Sequence, residues 1–282
     1  MKRLMVLLGV AGVSLSAVFV RWSTAPSLVL VLYRMAFSAL LLAPLAVARR
    51  AEFRALRRRE LLLSLLSGAF LGLHFVCYFE ALRRTSIASA VVLVDTEVFF
   101  VALASALVLR KQLSRRAWLA VLTAFGGSVL VALADRSAGA GALTGDLIAL
   151  TGALCMAAYT MLGTVCRRRL STTVYTWLVY AASAGTVLLA ALASSQPLTG
   201  WGPVNLLTAL GMAVFCTLLG HSVFSWGLKF LPPAFISTVK LLEPVFASVW
   251  GLLLFAERPL PQVILGGGVI LLGIGLYSRE EA

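Results

Sequence analysis

The sequence predicts an all-α integral membrane protein of ten transmembrane helices in two inverted five-helix repeats. Three observations carry this. Hydrophobic residues make up 61% of the chain and charged residues only 12%, with a mean hydropathy of +0.98, whereas soluble domains are roughly 45–50% apolar. The apolar residues fall into ten runs, each near the roughly 20 residues that a helix needs to cross a bilayer. The chain also repeats itself without gaps after 146 residues: Leu82, Ala88, Glu97, Phe100, Leu107, Leu119, Gly127 and Leu130 recur as Leu228, Ala234, Glu243, Phe246, Leu253, Leu265, Gly273 and Leu276. The two glutamates weigh most, because each lies inside an apolar run, whereas leucine and alanine matches are frequent in such a composition. The repeats are placed at residues 1–140 and 141–282. Two similar halves in a membrane protein point to a transporter with its site between them.

The spans are read as 4–20, 28–48, 61–82, 86–109, 115–134, 144–165, 172–193, 203–228, 233–255 and 261–278. Met1-Lys2-Arg3 before an apolar run resembles a secretion signal, but the run continues to Arg21 and more spans follow, so the first span is expected to remain. Pro26 precedes the second span. Arg49 to Glu60 is too charged to stay in lipid. Ser137 to Gly145, rich in Gly and Ala, is the expected link between halves. Pro197 to Pro203 and Pro232-Pro233 interrupt helices, since proline lacks an N–H and clashes with the preceding turn.

Topology follows from the basic residues. With the N-terminus inside, residues 2–3, 49–59, 110–116, 167–169, 229 and 279 place 17 Lys and Arg on the cytoplasmic side, against 5 outside: Arg21, Arg83, Arg84, Arg136 and Arg258. Cytoplasmic loops carry the excess of Lys and Arg, so both termini are expected to be cytoplasmic. Five spans per half is an odd number, so the second half enters the membrane inverted. The net charge of +13 is thus topological. No contiguous soluble basic domain exists for nucleic acid, and the expected surroundings are a lipid bilayer. The four cysteines, Cys77, Cys155, Cys166 and Cys216, show no CxxC spacing, so no metal or other cofactor is expected.

Charges inside the spans carry the chemistry. A charged side chain at mid-bilayer costs about 2.5–3.5 kcal/mol on insertion scales, and such residues face a polar cavity or a partner. Here they are Arg34, His74, Glu80, Asp95, Glu97, His221, Lys240 and Glu243. Lys240 and Glu243, three apart, share a helical face and can pair; Pro244 should kink the helix near Lys240 and free a carbonyl there. This arrangement reads equally as a binding site or as a structural ion pair. Asp95 and Glu97, two apart, point to different faces; one could meet Arg34 or Lys240 while the other carries a proton, or both could simply compensate charge. His74 with Tyr78, and His221 with Ser225, form polar stripes four residues apart on the third and eighth spans, fit for substrate or for helix–helix hydrogen bonds. Arg21 shares a face with Ser14 and fits a snorkelling position. Tyr159, Trp177, Tyr180 and Trp226 could line a cavity or form interfacial belts. Gly68 and Gly72, and Gly266-Gly267-Gly268, suit close helix packing within the chain or in a homodimer. The substrate-binding set expected on these grounds is Arg34, His74, Tyr78, Asp95, Tyr159, His221, Trp226 and Lys240, with Glu97 and Glu243 for proton coupling or ion pairing.

Over nearly its whole length the chain resembles the drug/metabolite transporter superfamily, EamA type. The matching stretches are Tyr33-Arg34, Leu73-His74-Phe75 with Glu80-Ala81-Leu82, Gly145-Asp146-Leu147, Gly220-His221, and above all Leu241-Leu242-Glu243-Pro244-Val245-Phe246-Ala247 followed by Phe255-Ala256-Glu257. The resemblance implies ten helices in inverted repeats around a central cavity open alternately to each side. It also implies export of amino acids or other small metabolites. Two departures stand out. Glu97-Val98 replaces the family's first-half Glu-Pro, so a weaker kink is expected there, and Arg110-Lys111 replaces its Gly-Glu. Lys240 is unusual for the family. The expected location is a bacterial or archaeal cytoplasmic membrane. An enzyme is disfavoured, since neither GxSxG nor HExxH occurs. The absence of a P-loop disfavours ATP-driven transport. A non-transporting receptor or assembly partner is the alternative, weakened by the lack of a sizeable soluble domain.

Overall fold

A computed structural model describes the chain except residues 85–86, 111–112, 134–142, 257 and 281–282, and the side chains of 17, 82–83, 87–89, 132 and 280. The expectations placed on the side chains of Leu82, Arg83 and Ala88, on Lys111 and Arg136, on most of the 137–145 link and on Glu257 lie outside the described residues.

Every regular element among the described residues is helical. Helix α1 is Lys2–Trp22, α2 Ser27–Ala48 and α3 Arg58–Arg84; a short helix, Arg50–Arg54, joins the last two. α4 comes in two pieces, Ile87–Asp95 and Glu97–Val108. α5 is Arg115–Leu133, α6 Leu143–Cys166, α7 Thr172–Ala193 and α8 Gly202–Gly227. α9, Pro233–Phe255, is broken after Lys240 and resumes at Glu243, and α10 is Pro261–Glu280. Nine of these, all but α5, are long and apolar enough to cross a membrane among the described residues. Their flanks carry Leu40, Leu107, Leu189 and Leu253, each more than 60% exposed. Such surface suits lipid rather than water.

The prolines act where expected. Pro26 and Pro232 sit immediately before α2 and α9, and Pro233 opens α9. The unexpected element is in α8, whose middle, Met212–His221, is π-helical. The wide turn lies against α1, where Gly12 and Gly220 let the two backbones approach closely. Long π stretches are rare and occur mostly at functional sites; this one carries Thr217 and His221.

α5 lies along α10, α3 along α6 and α7, and α1 along α8. Small residues set these seams. A Cβ on Gly273 would stand 2.5 Å from Ala124 N, and one on Gly127 would stand 2.7 Å from Gly266 O. Gly68 and Gly72 of α3 meet the backbone of α7 at Val179 and Ser183. That glycine pair therefore serves packing within the chain. Two apolar clusters flank the bundle centre. One joins α1, α4, α5, α9 and α10 through residues such as Val10, Val98, Ala124, Ile236 and Ile270. The other joins α2, α3, α6 and α7 through Met35, Leu71, Met156 and Val179.

Asn205, buried in the first turns of α8, pins the α1–α2 link. Its Oδ1 accepts from Ser23 Oγ at 2.8 Å, Thr24 N at 2.8 Å and Ala25 N at 3.0 Å, and its Nδ2 donates to Thr24 Oγ1 and Trp201 O. Asn205→Ala strands the Thr24 N–H, while Ala25 N keeps Ser23 Oγ at 3.2 Å, so a loss of about 1–3 kcal/mol is expected. A thermal midpoint unchanged from wild type in detergent would show that water replaces the amide.

Candidate functional site

The breaks in α4 and α9 place charge at the centre of the bundle. In α9 the helix stops at Lys240, passes through Leu241-Leu242 and restarts at Glu243 with Pro244 in its first turn. Pro244 cannot donate, and its ring crowds the carbonyl of Lys240. α4 breaks without a proline. Thr96 Oγ1 donates to Leu93 O at 2.5 Å, a local bond that competes with the helical ladder. One residue leaves the helix there, against two in α9, so the first-half kink persists in a smaller form.

Across these breaks Lys240 Nζ meets Glu97 Oε1 at 2.5 Å. The Lys240–Glu243 contact expected from their spacing does not form, because the break between them removes the helical geometry that would stack them. Asp95 turns to α5, where Ser128 Oγ donates to its Oδ2 at 2.5 Å. The two pieces of α4 thus give its two acids separate partners.

Arg34 of α2 is 2% exposed. Its Nε donates to Thr217 Oγ1 at 2.9 Å and its Nη1 to Ser16 Oγ at 3.5 Å. The guanidinium lies 4.6 Å from the centre of the Phe75 ring. Its Nη2 has no hydrogen-bond partner among the described residues. Tyr180 supports this arrangement from behind, its hydroxyl donating to Thr217 O at 3.3 Å. His74 Nδ1 lies 3.0 Å from Gly152 O; a carbonyl only accepts, so the proton is on Nδ1 and Nε2 is left as an acceptor. Its ring stacks on Tyr78 at 6.2 Å and 3°. His221 packs edge-on to Phe75 and Phe224, and its Nδ1 has no hydrogen-bond partner among the described residues.

These groups surround one cavity of about 800 Å³, within the size range of small-molecule sites. Arg34, His74, Tyr78, Asp95, Glu97, His221, Lys240 and Glu243 all line it, with Phe75, Phe79, Val94 and Phe255 among the apolar lining. Tyr159 and Trp226 stand outside this lining. Tyr159 is buried, its hydroxyl 3.0 Å from Ser225 Oγ, and Trp226 packs on Phe230. Trp177 packs edge-on to Phe53. Sequence reasoning did not single out Thr217, Ser16 or Ser128, the hydroxyls that hold Arg34 and Asp95. Thr217 lies four residues before His221, a helical spacing that could have marked it; Ser128 gives no such signal. No group of three or more His, Cys, Asp or Glu among the described residues is placed to hold a metal ion.

The cavity reaches one end of the bundle at Arg21 and Arg258, both exposed, with the Arg21 guanidinium over the Phe255 ring at 4.8 Å. Towards the other end it is closed. Val6, Val10, Leu228, Phe235 and Ile236 pack there, Arg3 Nη1 donates to Ser278 O at 2.5 Å, and Phe235 meets Tyr277. Buried Arg167 ties α6 to α8 and α7, donating from Nε to Ser225 O at 2.9 Å, from Nη2 to Thr172 Oγ1 at 2.6 Å, and from Nη1 to Leu170 O.

A bundle with a charged central cavity has clear relatives. The chain is 28% identical over 267 residues to the pseudopaline exporter of Pseudomonas aeruginosa, covering 92% of this chain and 88% of that protein. It is 24% identical over 225 residues to an uncharacterized transporter of Archaeoglobus fulgidus, covering 78% and 76%. Over a shorter stretch of 87 residues it is 32% identical to the S-adenosylmethionine/S-adenosylhomocysteine transporter of Chlamydia muridarum, covering 30% and 27%. A solved crystal structure shares the fold, with a TM-score of 0.82 at 15% identity, covering 99% of this chain and 98% of that one. The model of the EamA-like transporter family matches residues 2–133 and 143–279. The chain is a transmembrane transporter of the drug/metabolite superfamily, not an enzyme, and it belongs to the EamA-like transporter family.

Proposed function

We propose that the chain is a secondary transporter that exports small metabolites, amino acids or similar compounds, by alternating access between two inverted five-helix repeats, residues 1–140 and 141–282. The observation that carries this reading is the cavity, where ionisable groups of both halves converge on one space deep in an apolar bundle. Relatives named for pseudopaline export and for S-adenosylmethionine transport support a small-metabolite substrate.

Several features support ten spans in two repeats. The breaks of α4 and α9 recur at the repeat spacing. So do the helix pairs: α1–α8 matches α6–α3, α1–α9 matches α6–α4, and α2–α8 matches α7–α3, while α2–α7, α4–α9 and α5–α10 map onto themselves. Equivalent leucines also have similar exposure. Leu107 and Leu253 show 71% and 66%, Leu119 and Leu265 62% and 63%, and Leu130 and Leu276 37% and 39%. The closed end carries Lys2, Arg3, Arg167, Lys229 and Arg279. By the excess of Lys and Arg it faces the cytoplasm. Both termini are then cytoplasmic, and the cavity opens outward in a bacterial or archaeal cytoplasmic membrane.

Coupling to protons belongs to the cavity carboxylates, since an acid held in a dry site exchanges its proton with the conformational cycle. In proteoliposomes loaded with a metabolite panel, efflux is expected to rise with an inward proton gradient. Glu97→Gln, Glu243→Gln or Asp95→Asn should remove that response. Efflux that ignores the gradient in wild type would mark a uniporter. The absence of efflux for every compound, together with stable co-purification of a protein partner, would favour the receptor reading instead.

A further inference from the structure

We propose that Arg34 and Glu243 clamp the charged head of a zwitterionic substrate, its carboxylate on Arg34 and its ammonium on Glu243. The proposal rests on the transport reading above and names which residues take which end of the substrate.

Lys240 and Glu97 neutralise each other at 2.5 Å, and Asp95 is held by Ser128. Arg34 and Glu243 remain. Arg34 is buried, yet among the described residues its partners are two hydroxyls and an aromatic face, and its Nη2 has none. Glu243 makes no hydrogen bond and no ion pair among the described residues. Both line the cavity, and they form no ion pair with each other. A buried guanidinium with only neutral partners is costly, and here it is also held rigid. Thr217 and Ser16 hold Nε and Nη1 and Phe75 lies against the guanidinium, so the arginine that lines the cavity is held in place as a preformed anion site.

Opposite charges that line one cavity with no counter-charge among the described residues select for ligand chemistry. An uncharged molecule satisfies neither. A simple carboxylate leaves Glu243 bare, and a simple amine leaves Arg34 bare. A molecule with adjacent carboxylate and ammonium closes both gaps, and its body can extend along Tyr78, Phe79 and Phe255 towards the open end. Lys240 is not the carboxylate receptor, because binding there would first have to displace Glu97.

The test uses proteoliposomes of the full chain, loaded with the twenty common amino acids, the amines formed by their decarboxylation and the acids formed by their deamination. Efflux of each compound is read by mass spectrometry. Wild type is expected to move amino acids in preference to both analogue sets by roughly thirtyfold or more, the loss that follows removal of one partner from a buried charge pair. Arg34→Gln should abolish the preference over the amines and keep that over the acids, and Arg34→Lys should restore part of it. Glu243→Gln should do the converse. Ratios within one preparation are insensitive to the fraction of folded protein, so a poorly folding variant still reports. Wild type that moves acids or amines as fast as amino acids overturns the clamp while transport stands, and so do variants whose ratios stay at the wild-type value. No efflux of any compound removes the transport reading and the clamp with it.

Discussion

Lys240→Ala is expected to destabilise the folded protein by about 3–5 kcal/mol, the cost of leaving one member of a buried ion pair uncompensated. The physical basis is specific. Glu97 is 5% exposed, its Oε1 rests 2.5 Å from Lys240 Nζ, and its Oε2 already lacks a partner among the described residues. Without the lysine a full charge remains in the apolar bundle between α4 and α9. Glu97→Ala should be similarly damaging, since it strands the ammonium. Removing both, as Lys240→Leu with Glu97→Leu, should bring stability back close to wild type or above it, because well-packed apolar pairs often equal buried ion pairs. A double-mutant cycle on unfolding in detergent micelles measures this directly. Additive single effects would mean that the two side chains do not interact in the folded protein.

The second large effect is expected at the α5–α10 seam. Gly273→Leu places a Cβ 2.5 Å from Ala124 N and 2.7 Å from Ala120 O. These are backbone atoms, which cannot swing aside as a flexible side chain would. Overpacking costs typically about 1–3 kcal/mol and occasionally more, and here the two helices must separate along their length, so the upper end of that range is expected. The control is in the same helix. Gly268 and Gly275 face open space, so leucine at either should leave stability within about 0.5 kcal/mol of wild type. The yield of monodisperse folded protein and its thermal midpoint separate the cases. Equal behaviour of Gly273→Leu and Gly275→Leu would rule out the close approach of α5 and α10.

Much of the architecture was legible because membrane insertion is governed by local composition. Each helix must satisfy its own backbone and present about 20 apolar residues to lipid, so the apolar runs read from the sequence coincide with the helices to within a few residues. The cavity acids and bases were legible for a related reason: a charge in such a run is costly wherever it points, so Arg34, Asp95, Glu97, Lys240 and Glu243 stood out before any packing was known. Tyr159 and Trp226 show the limit of this reasoning. An aromatic residue is comfortable in a cavity wall, a core or an interface, so its presence in a span does not say which.

The sequence by itself determined the helical membrane class, the positions of the helices, the excess of basic residues at one set of loops, and the identity of the charges that need a polar surrounding. Tertiary structure alone decided how those charges are shared. It gave Glu97 rather than Glu243 to Lys240, tied Asp95 to Ser128, and set the hydroxyls of Thr217 and Ser16 on Arg34. It also broke α4 through Thr96 where no proline stands, widened α8 into a π-helix, and used Gly68 and Gly72 inside the chain. Insertion is decided helix by helix, by the contact of each residue with lipid. Pairing is decided by which helices meet and at what height, and partners such as Glu97 and Lys240 become neighbours only when α4 and α9 pack together.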